Sequence, residues 1–366
     1  AKKPKLKYFY PLDFWYEHHD IKKEFWTAEF DIEIFHDLPK LHASVKGGKN
    51  TCLIGPEFDG LDSSIARNPS GVLYNLDWER GYKTDYEVHC MKEANRIGAK
   101  GHKAALDCFM KGGSEREAYF AYLTGSNQLG SELPYEAIIA YNEKAAILHY
   151  HNMRDFKPGD VMLMDCGGRY LHYNSDITRT YIRDANASPA HKLFAQVIKK
   201  TEELQAALVK GVKPGMKYSD LHLQSEIAVA QALIDLEIIM KTTAEKAAED
   251  GLSRVFYPHG VGHLLGIQTH DVGGKQGDAD NKSQAPQSDN KYLRNLRLIE
   301  ERNVFTVEPG VYFIPILLEG ARHGKFAANI NWKLVDLLTP LGGVRIEDDI
   351  LCTKNGAQNL TREFLP

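Results

Sequence analysis

Four acidic residues and one histidine in the second half of the chain have the chemical character of a metal site. Asp165 ends the apolar run that starts at Val161, and Asp176 follows eleven residues later. Four carboxylates gathered in one pocket would raise each other's pKa, and two divalent cations would carry the compensating charge. The five candidate ligands are Asp165, Asp176, His263, Glu308 and Glu347.

The chemistry of this set predicts a dinuclear metallohydrolase. Oxygen ligands with one imidazole suit Mn²⁺, Co²⁺ or Mg²⁺ better than a closed thiolate zinc site. Five side chains cannot separately fill two coordination spheres, so we expect Asp176 and Glu347 to bridge. Two metals about 3.5–4 Å apart can share a hydroxide as nucleophile and polarise a carbonyl.

Composition narrows the class of protein. A chain of 366 residues is long enough for two domains, and its 43% hydrophobic and 26% charged residues are typical of globular proteins. A net charge of −4 does not indicate a basic surface for binding nucleic acid. Basic residues near the N-terminus are interpreted as the solvated start of a strand.

Cysteine usage and hydropathy suggest where the protein resides. Five widely spaced cysteines without a CxxC pair argue against disulfides and zinc knuckles, and Cys166 should face away from Asp165 into the core. No apolar run approaches the roughly 18 residues of a membrane span, and the start does not resemble a signal peptide. We therefore expect a cytoplasmic protein with no membrane partner.

The candidate ligands need a scaffold, and the sequence predicts a mixed α+β one. The first eighty or so residues alternate aromatic and charged positions, which indicates short half-buried strands. Thr84–Glu87 matches a capping box that opens a helix through Phe109, and Ser114–Glu117 opens the next. We predict two domains, residues 1–83 and 84–366.

Strands and helices alternate beyond Tyr135. Residues 161–182 indicate strand, turn and strand, and Ser188-Pro189 starts a helix to Gly211. Another helix is expected over about 219–236, and 275–290 has the composition of a surface loop. Strands around Val304 and Val344 should carry the last two carboxylates.

Three stretches of the sequence resemble the prolidase branch of the pita-bread metallopeptidases. They are residues 259–273 (HGVGHLLGIQTHDVG), 306–313 (TVEPGVYF) and 342–348 (GGVRIED). The wider family includes methionine aminopeptidase, aminopeptidase P and creatinase. The match is best with bacterial Xaa-Pro dipeptidases, including those called organophosphorus acid anhydrolases, and runs from about Pro4 to the C-terminus.

The resemblance implies a role for each residue. Asp165 would bind one metal, Asp176 and Glu347 would bridge both, and His263 and Glu308 would complete the second. Mn²⁺ is the metal that we expect. Glu308, His270 and His259 would be catalytic, and the proton of the leaving group could be handled by His270 or by Glu308. Substrate contacts would come from His149, Arg294, Arg345, Tyr135, Tyr218, Leu148 and Leu293.

The substrate explains several of these residue types. A dipeptide ending in proline presents a carboxylate, which a planar guanidinium fits, and an arginine there would restrict the enzyme to dipeptides. The Xaa-Pro bond lacks an N–H and can be cis or trans, so it needs a dedicated pocket. The alternatives are a salt bridge from Arg345 to Asp348 or Glu347, core packing for Tyr135 and Tyr218, and a core position for His149.

The resemblance also implies a fold, a function and a partner. The fold would be a C-terminal pita-bread catalytic domain after a partial α/β domain of the creatinase N-terminal type. The expected activity is Xaa-Pro dipeptide hydrolysis, with a side activity on organophosphorus esters and fluorides. Alternatives are an aminopeptidase P, an enzyme whose main activity is organophosphorus hydrolysis, or a non-catalytic binding module, against which the five retained ligands argue. A homodimer is expected if the N-terminal domain is complete.

Overall fold

The computed structural model describes residues 2–15, 17–18, 20–21, 24–48, 50–59, 61–155, 158–277 and 291–365. The chain separates into two compact units, Ala1–Leu73 and Tyr74–Pro366. The domain boundary placed between residues 83 and 84 stays a prediction. Most of the predicted surface loop over 275–290 lies outside the described residues.

The first unit contains two pairs of parallel strands. Strand β1 (Lys5–Phe9) pairs with β2 (Asp31–Phe35), and β3 (Cys52–Leu53) pairs with β4 (Ala66–Arg67). Helix α1 (Leu38–Ser44) follows β2. The half-buried character of β1 and β2 and the exposed lysines at the start of β1 confirm the sequence prediction.

Helices also form in the region where the alternating residues predicted short strands, in agreement with the partial α/β domain that the family resemblance implies. Helix α1 begins after Asp37, whose side chain accepts a hydrogen bond from Lys40 N, with proline early in the helix. Helix α2 (Ser70–Arg80) begins directly after Pro69. The alternation of aromatic and charged residues did not predict these two helices, because the Asp37 cap of α1 and the proline ahead of α2 favour helix starts locally.

The second unit contains long helices that begin at the predicted caps. Thr84 and Ser114 both form capping boxes, and the Ser188 side chain accepts from His191 N ahead of Pro189. The helices are α3 (Asp85–Met110), α4 (Glu115–Ser126), α5 (Pro189–Gly211), α6 (Tyr218–Asp235), α7 (Ala244–Asp250), α8 (Pro315–Arg322) and α9 (Trp332–Leu338). Among the described residues, none of the helices combines the length and apolar character of a membrane span.

Short strands of this unit form antiparallel sheets. The strands are β5 (Ile138–Tyr141), β6 (Val161–Asp165), β7 (Arg169–Tyr170), β8 (Tyr173–Asn174), β9 (Thr178–Ile182), β10 (Val304–Val307), β11 (Gly310–Tyr312), β12 (Gly343–Arg345), β13 (Asp348–Thr353) and β14 (Gly356–Asn359). Their orders are β5-β6-β9, β10-β13-β14, β11-β12 and β7-β8. The main core lies between these strands and helices α5 and α6.

The four candidate carboxylate ligands lie at or next to the ends of strands. Asp165 is the last residue of β6, and Asp176 lies two residues before β9. Glu308 lies between β10 and β11, and Glu347 between β12 and β13, so these two carboxylates sit at breaks in strands rather than within them. A short hairpin, β7–β8, is inserted between β6 and β9 where the sequence predicted a simple turn.

Candidate metal centre

Strand register brings two of the carboxylates, Asp165 and Glu347, together. Asp165 pairs with Thr178 across β6 and β9, and an isolated bridge joins Thr178 to Glu347. The Thr178 hydroxyl donates to Glu347 Oε2. Thr178 of β9 thus contacts both Asp165 and Glu347, which lie 182 residues apart in the sequence, and places them at the same edge of the β5-β6-β9 sheet.

His263 reaches this edge because Gly262 lets its chain approach β10 closely. Gly262 has a φ of +150°, and a Cβ there would lie 2.2 Å from the Thr306 carbonyl oxygen. The close approach allows His263 N to donate to Thr306 Oγ1 at 3.1 Å, while Thr306 N donates to the His263 carbonyl at 2.9 Å. The second glycine of the His-Gly-Val-Gly-His stretch is therefore a requirement of the backbone.

The five side chains converge in one cavity. Ligand atoms of Asp176, His263 and Glu347 all lie within 4.8 Å of one another. His263 Nε2 is 3.3 Å from Asp176 Oδ2 and 3.8 Å from Glu308 Oε1. Asp165 and Glu308 complete the lining of this cavity, whose volume is about 610 Å³.

The electrostatics of the metal-free cavity are those of crowded carboxylates. Burial raises the pKa of Asp165 to about 6 and that of Glu308 to about 7, and nearby Asp176 adds to both shifts. Burial and the charge of Asp176 raise the pKa of Glu347 well above its usual range. Burial opposes the charges of His263 and Asp176, but their hydrogen bond outweighs it, raising the pKa of His263 to about 9 and lowering that of Asp176.

The donor set fits divalent cations. Asp165 Oδ1 is buried and finds no hydrogen-bond partner among the residues that the structure describes. A buried carboxylate oxygen without a donor is costly unless a cation or proton meets it. Four carboxylates and one imidazole form the oxygen-rich set that hard and borderline divalent ions prefer.

The remaining wall of the cavity holds most of the predicted substrate residues. His149, His259, His270, Leu148, Leu293, Arg294 and Arg345 all line it. Burial lowers the pKa of His259 to about 3 and that of His270 to about 4, and the charges of Arg345 on His259 and of His263 on His270 add to the shifts. Both imidazoles are therefore neutral at physiological pH in the metal-free protein.

Arg345 is held by groups of the cavity itself. Its Nη2 pairs with Asp165 Oδ2, its Nη1 donates to Tyr312 Oη at 3.0 Å, and its Nε lies 4.0 Å from Glu347 Oε2. Of the two salt-bridge partners considered for Arg345, Glu347 is within 4.0 Å, and Asp165, which the sequence did not suggest as a partner, is closer. Asp348 pairs with Arg179 and Arg362 instead.

Tyr135 and Tyr218 occupy different places from the other predicted wall residues. Tyr135 lines a neighbouring cavity of about 390 Å³, and burial with the charges of Asp165 and Asp176 raises its pKa well above the usual range. Tyr218 is fully buried and donates to the Thr306 carbonyl at 2.8 Å. This position beneath the wall supports the core-packing alternative for Tyr218 rather than a substrate contact.

Tyr312 is a residue of the site that the sequence reading missed. Its hydroxyl is hydrogen-bonded to Arg345 and lies 2.9 Å from His259 Nε2. A signal existed, since Tyr312 lies within the stretch 306–313 that carries the family resemblance and also contains Glu308. Cys166, by contrast, packs in the core away from the cavity, as predicted.

Sequence profiles of known families match most of the chain. Residues 89–354 match metallopeptidase family M24, and residues 1–78 match the N-terminal domain of Xaa-Pro dipeptidase. The chain is 37% identical to the Xaa-Pro dipeptidase of Enterobacter sp. (strain 638), covering 99% of this chain and 82% of that protein. It is 39% identical to the Xaa-Pro dipeptidase of Pseudoalteromonas haloplanktis, over 100% of this chain and 83% of the relative.

Solved structures share the fold. The Pseudomonas aeruginosa aminopeptidase PepP superposes with a TM-score of 0.64 at 24% identity, covering 84% of this chain and 62% of that one. Zinc-substituted Escherichia coli aminopeptidase P in complex with product gives 0.63 at 24% identity, over 83% and 61%. The chain spans less than two thirds of the length of these structures, and the likeness confirms the pita-bread fold with a preceding N-terminal domain.

Proposed function

Because the chain belongs to metallopeptidase family M24, we propose that it is a metal-dependent hydrolase that cleaves the peptide bond of Xaa-Pro dipeptides. The observation that carries the proposal is the convergence of Asp176, His263 and Glu347 within 4.8 Å, in a cavity that Asp165 and Glu308 also line. Relatives 36–39% identical over nearly the whole chain bear the name Xaa-Pro dipeptidase, which supports the substrate class.

The cations of this site would be held by the five candidate ligands. Asp165 would serve one ion, His263 and Glu308 the other, and Asp176 and Glu347 both, with Mn²⁺ as the proposed metal. Bound divalent cations supply a lowered pKa for water and polarisation of the scissile carbonyl.

Among the four carboxylates, Glu308 has the most exposed side chain. Its side chain is 17% exposed, against 13% for Asp165, 7% for Asp176 and 2% for Glu347. We assign proton handling to Glu308, which would accept a proton from the attacking water and return it to the prolyl nitrogen. Neutral His270 would then donate a hydrogen bond to the substrate. The single N–H of neutral His259 is used by the Gly260 carbonyl, so His259 would act as a hydrogen-bond acceptor through Nε2.

Selection for a dipeptide would come from Arg294 and the apolar wall. Arg294 is an exposed cation on the rim of the cavity, where it can pair with the free carboxylate of proline. Leu148, Leu293 and Ile314 line the same cavity and offer an apolar surface to the proline ring. A third residue after proline would move the carboxylate beyond the reach of Arg294.

Paired peptide assays test this function. Metal-depleted protein should be inactive. Addition of Mn²⁺ should restore hydrolysis of Gly-Pro, but it should release little free glycine from Gly-Pro-Ala. Rapid cleavage of the tripeptide would favour an aminopeptidase P instead. Absence of any Gly-Pro hydrolysis at saturating Mn²⁺ would overturn the proposal.

A side activity on organophosphorus esters and fluorides is proposed for the same cavity. A tetrahedral phosphorus centre resembles the transition state of amide hydrolysis, so groups arranged for one can stabilise the other. The ratio of kcat/KM for Gly-Pro to that for a fluorophosphate ester measures this activity, and we expect it to favour the dipeptide. A ratio below one would make organophosphorus hydrolysis the main activity.

Two further expectations stay predictions. The homodimer depends on the N-terminal unit and is tested by the mass of the protein in solution. The cytoplasmic location is tested by fractionation of the source cells.

A further inference from the structure

A buried ion pair lies next to the candidate catalytic histidine in the chain, outside the cavity. Lys83 Nζ is 3.0 Å from Asp271 Oδ2, and both side chains are only 2% exposed. Arg80 Nη2 pairs with the other carboxylate oxygen of Asp271. Lys83 stands between helices α2 and α3, and Asp271 directly follows His270.

His270 has little to hold it apart from its backbone. No hydrogen bond from its imidazole is found among the residues that the structure describes, and the residue lies in a stretch between Leu265 and Gly277 that forms no helix or strand. Its contact is an edge-to-face packing on His263, with ring centroids 4.4 Å apart and planes at 86°. The direction of the imidazole therefore depends on how the chain is fixed at residues 264–272.

Asp271 supplies that fixation. Its N–H donates to the Leu264 carbonyl at 2.9 Å, and Val272 N donates to Asp271 Oδ1 at 3.0 Å. The segment is folded tightly over the ion pair at Gly266, where a Cβ would lie 2.3 Å from Asp271 Oδ2 and 3.0 Å from Lys83 Nζ. Leu264 is in turn bridged to Phe305 of β10.

Lys83 is itself anchored at both backbone groups. Its N–H donates to the Arg302 carbonyl at 2.8 Å, and Arg302 Nε donates to the Lys83 carbonyl. The ammonium also donates to the Arg80 carbonyl. The ammonium of Lys83 thus pairs with the only carboxylate of an otherwise irregular segment, residues 264–272, and loss of the ammonium would leave the buried Asp271 carboxylate with less compensating charge.

On the premise of the proposed hydrolase function, we infer that Lys83, through Asp271, is a positioning residue that aims His270 into the cavity. It acts through another residue and does not touch the substrate. Misplacement of a catalytic group by about 1 Å lowers turnover by about 100-fold.

A double-mutant cycle with Lys83→Met tests the inference. In the Mn²⁺-loaded protein, K83M should lower kcat for Gly-Pro at least tenfold with KM changed less than threefold. In an H270A background the same substitution should change kcat less than twofold, because the histidine that it positions is already gone. An equal loss in both backgrounds would overturn the inference, as would wild-type kcat in K83M.

Lys200→Met is the matched control. Lys200 forms an ion pair of 2.7 Å with Asp235, but both side chains are more than a third exposed and far in sequence from the candidate residues. K200M should keep wild-type kcat and KM. If K83M fails to fold, K83M/D271N removes both buried charges, and it should show the same loss of kcat and the same insensitivity in the H270A background.

A readout independent of turnover separates this inference from the proposed function. If wild-type protein fails to cleave Gly-Pro, the proposed function fails, and crystal structures of wild type and of the Lys83 variant decide the inference alone. The separation of 4.4 Å between the His263 and His270 rings should be lost in the variant. An unmoved His270 would refute the positioning role.

Discussion

Replacement of Asp176 by asparagine tests the electrostatics of the metal-free cavity. The Asp176 carboxylate lies 3.3 Å from His263 Nε2 and is the main reason that the pKa of His263 rises from 6.5 to about 9 despite burial, with smaller contributions from Glu308 and the Leu264 carbonyl. At about 1.4 kcal/mol per pKa unit, this shift corresponds to about 3 kcal/mol of stabilisation when His263 is protonated. In D176N burial dominates, so the imidazole should be neutral.

The sign of the pH dependence follows from the raised pKa. The contribution of His263 is fully present below its unfolded pKa of about 6.5 and is lost as the pH rises through about 9. We therefore expect D176N to be less stable than wild type by about 3 kcal/mol at pH 6 and by less than about 1 kcal/mol at pH 9. Urea unfolding with EDTA present, followed by tryptophan fluorescence, measures both differences.

Asp235→Asn provides the control for this experiment. Asp235 pairs with Lys200 on an exposed helix face, so its loss should cost less than about 1 kcal/mol and should not vary between pH 6 and pH 9. A D176N effect that is independent of pH, or larger at pH 9, would refute the assignment of a protonated His263 beside an ionised Asp176.

Three other substitutions probe separate parts of the site. Arg294→Met should raise KM for Gly-Pro at least tenfold and lower the ratio of kcat/KM for Gly-Pro to that for Gly-Pro-Ala. An unchanged KM would show that Arg294 does not pair with the proline carboxylate. Asp349→Ala removes the acceptor of Asp176 N, 3.1 Å away, and should weaken Mn²⁺ binding about tenfold by calorimetry, whereas wild-type affinity would show that this support is dispensable. Gly262→Ala should give little folded protein by circular dichroism, and a stable variant would disprove the close contact with Thr306.

The parts of the fold that were predicted correctly are those with local signals. The capping boxes at Thr84 and Ser114 and the Ser188-Pro189 start identify helices because side chains within four residues decide them. The five candidate ligands were found together because each stands in a distinctive short stretch. The structure brings all five to one cavity, although their roles as ligands stay proposals.

The parts that were missed depend on contacts between distant residues or on unusual turns. The β7–β8 hairpin turns at Leu171 and His172, which both have positive φ although neither is glycine. The sequence therefore contains no typical turn residue that would predict the hairpin. The Lys83–Asp271 pair joins residues 188 positions apart. The burial of Tyr218 beneath Thr306 is likewise set by tertiary packing, which no local pattern reports.

The number of divalent ions bound per chain decides whether the four carboxylates and His263 form a dinuclear centre. After saturation with Mn²⁺ and removal of free metal, elemental analysis of wild-type protein should find two ions per chain, and Glu347→Gln should retain fewer than two because a shared ligand is weakened. A wild-type protein that holds no Mn²⁺, or a Glu347→Gln variant that holds two as tightly as wild type, would contradict the account of the cavity.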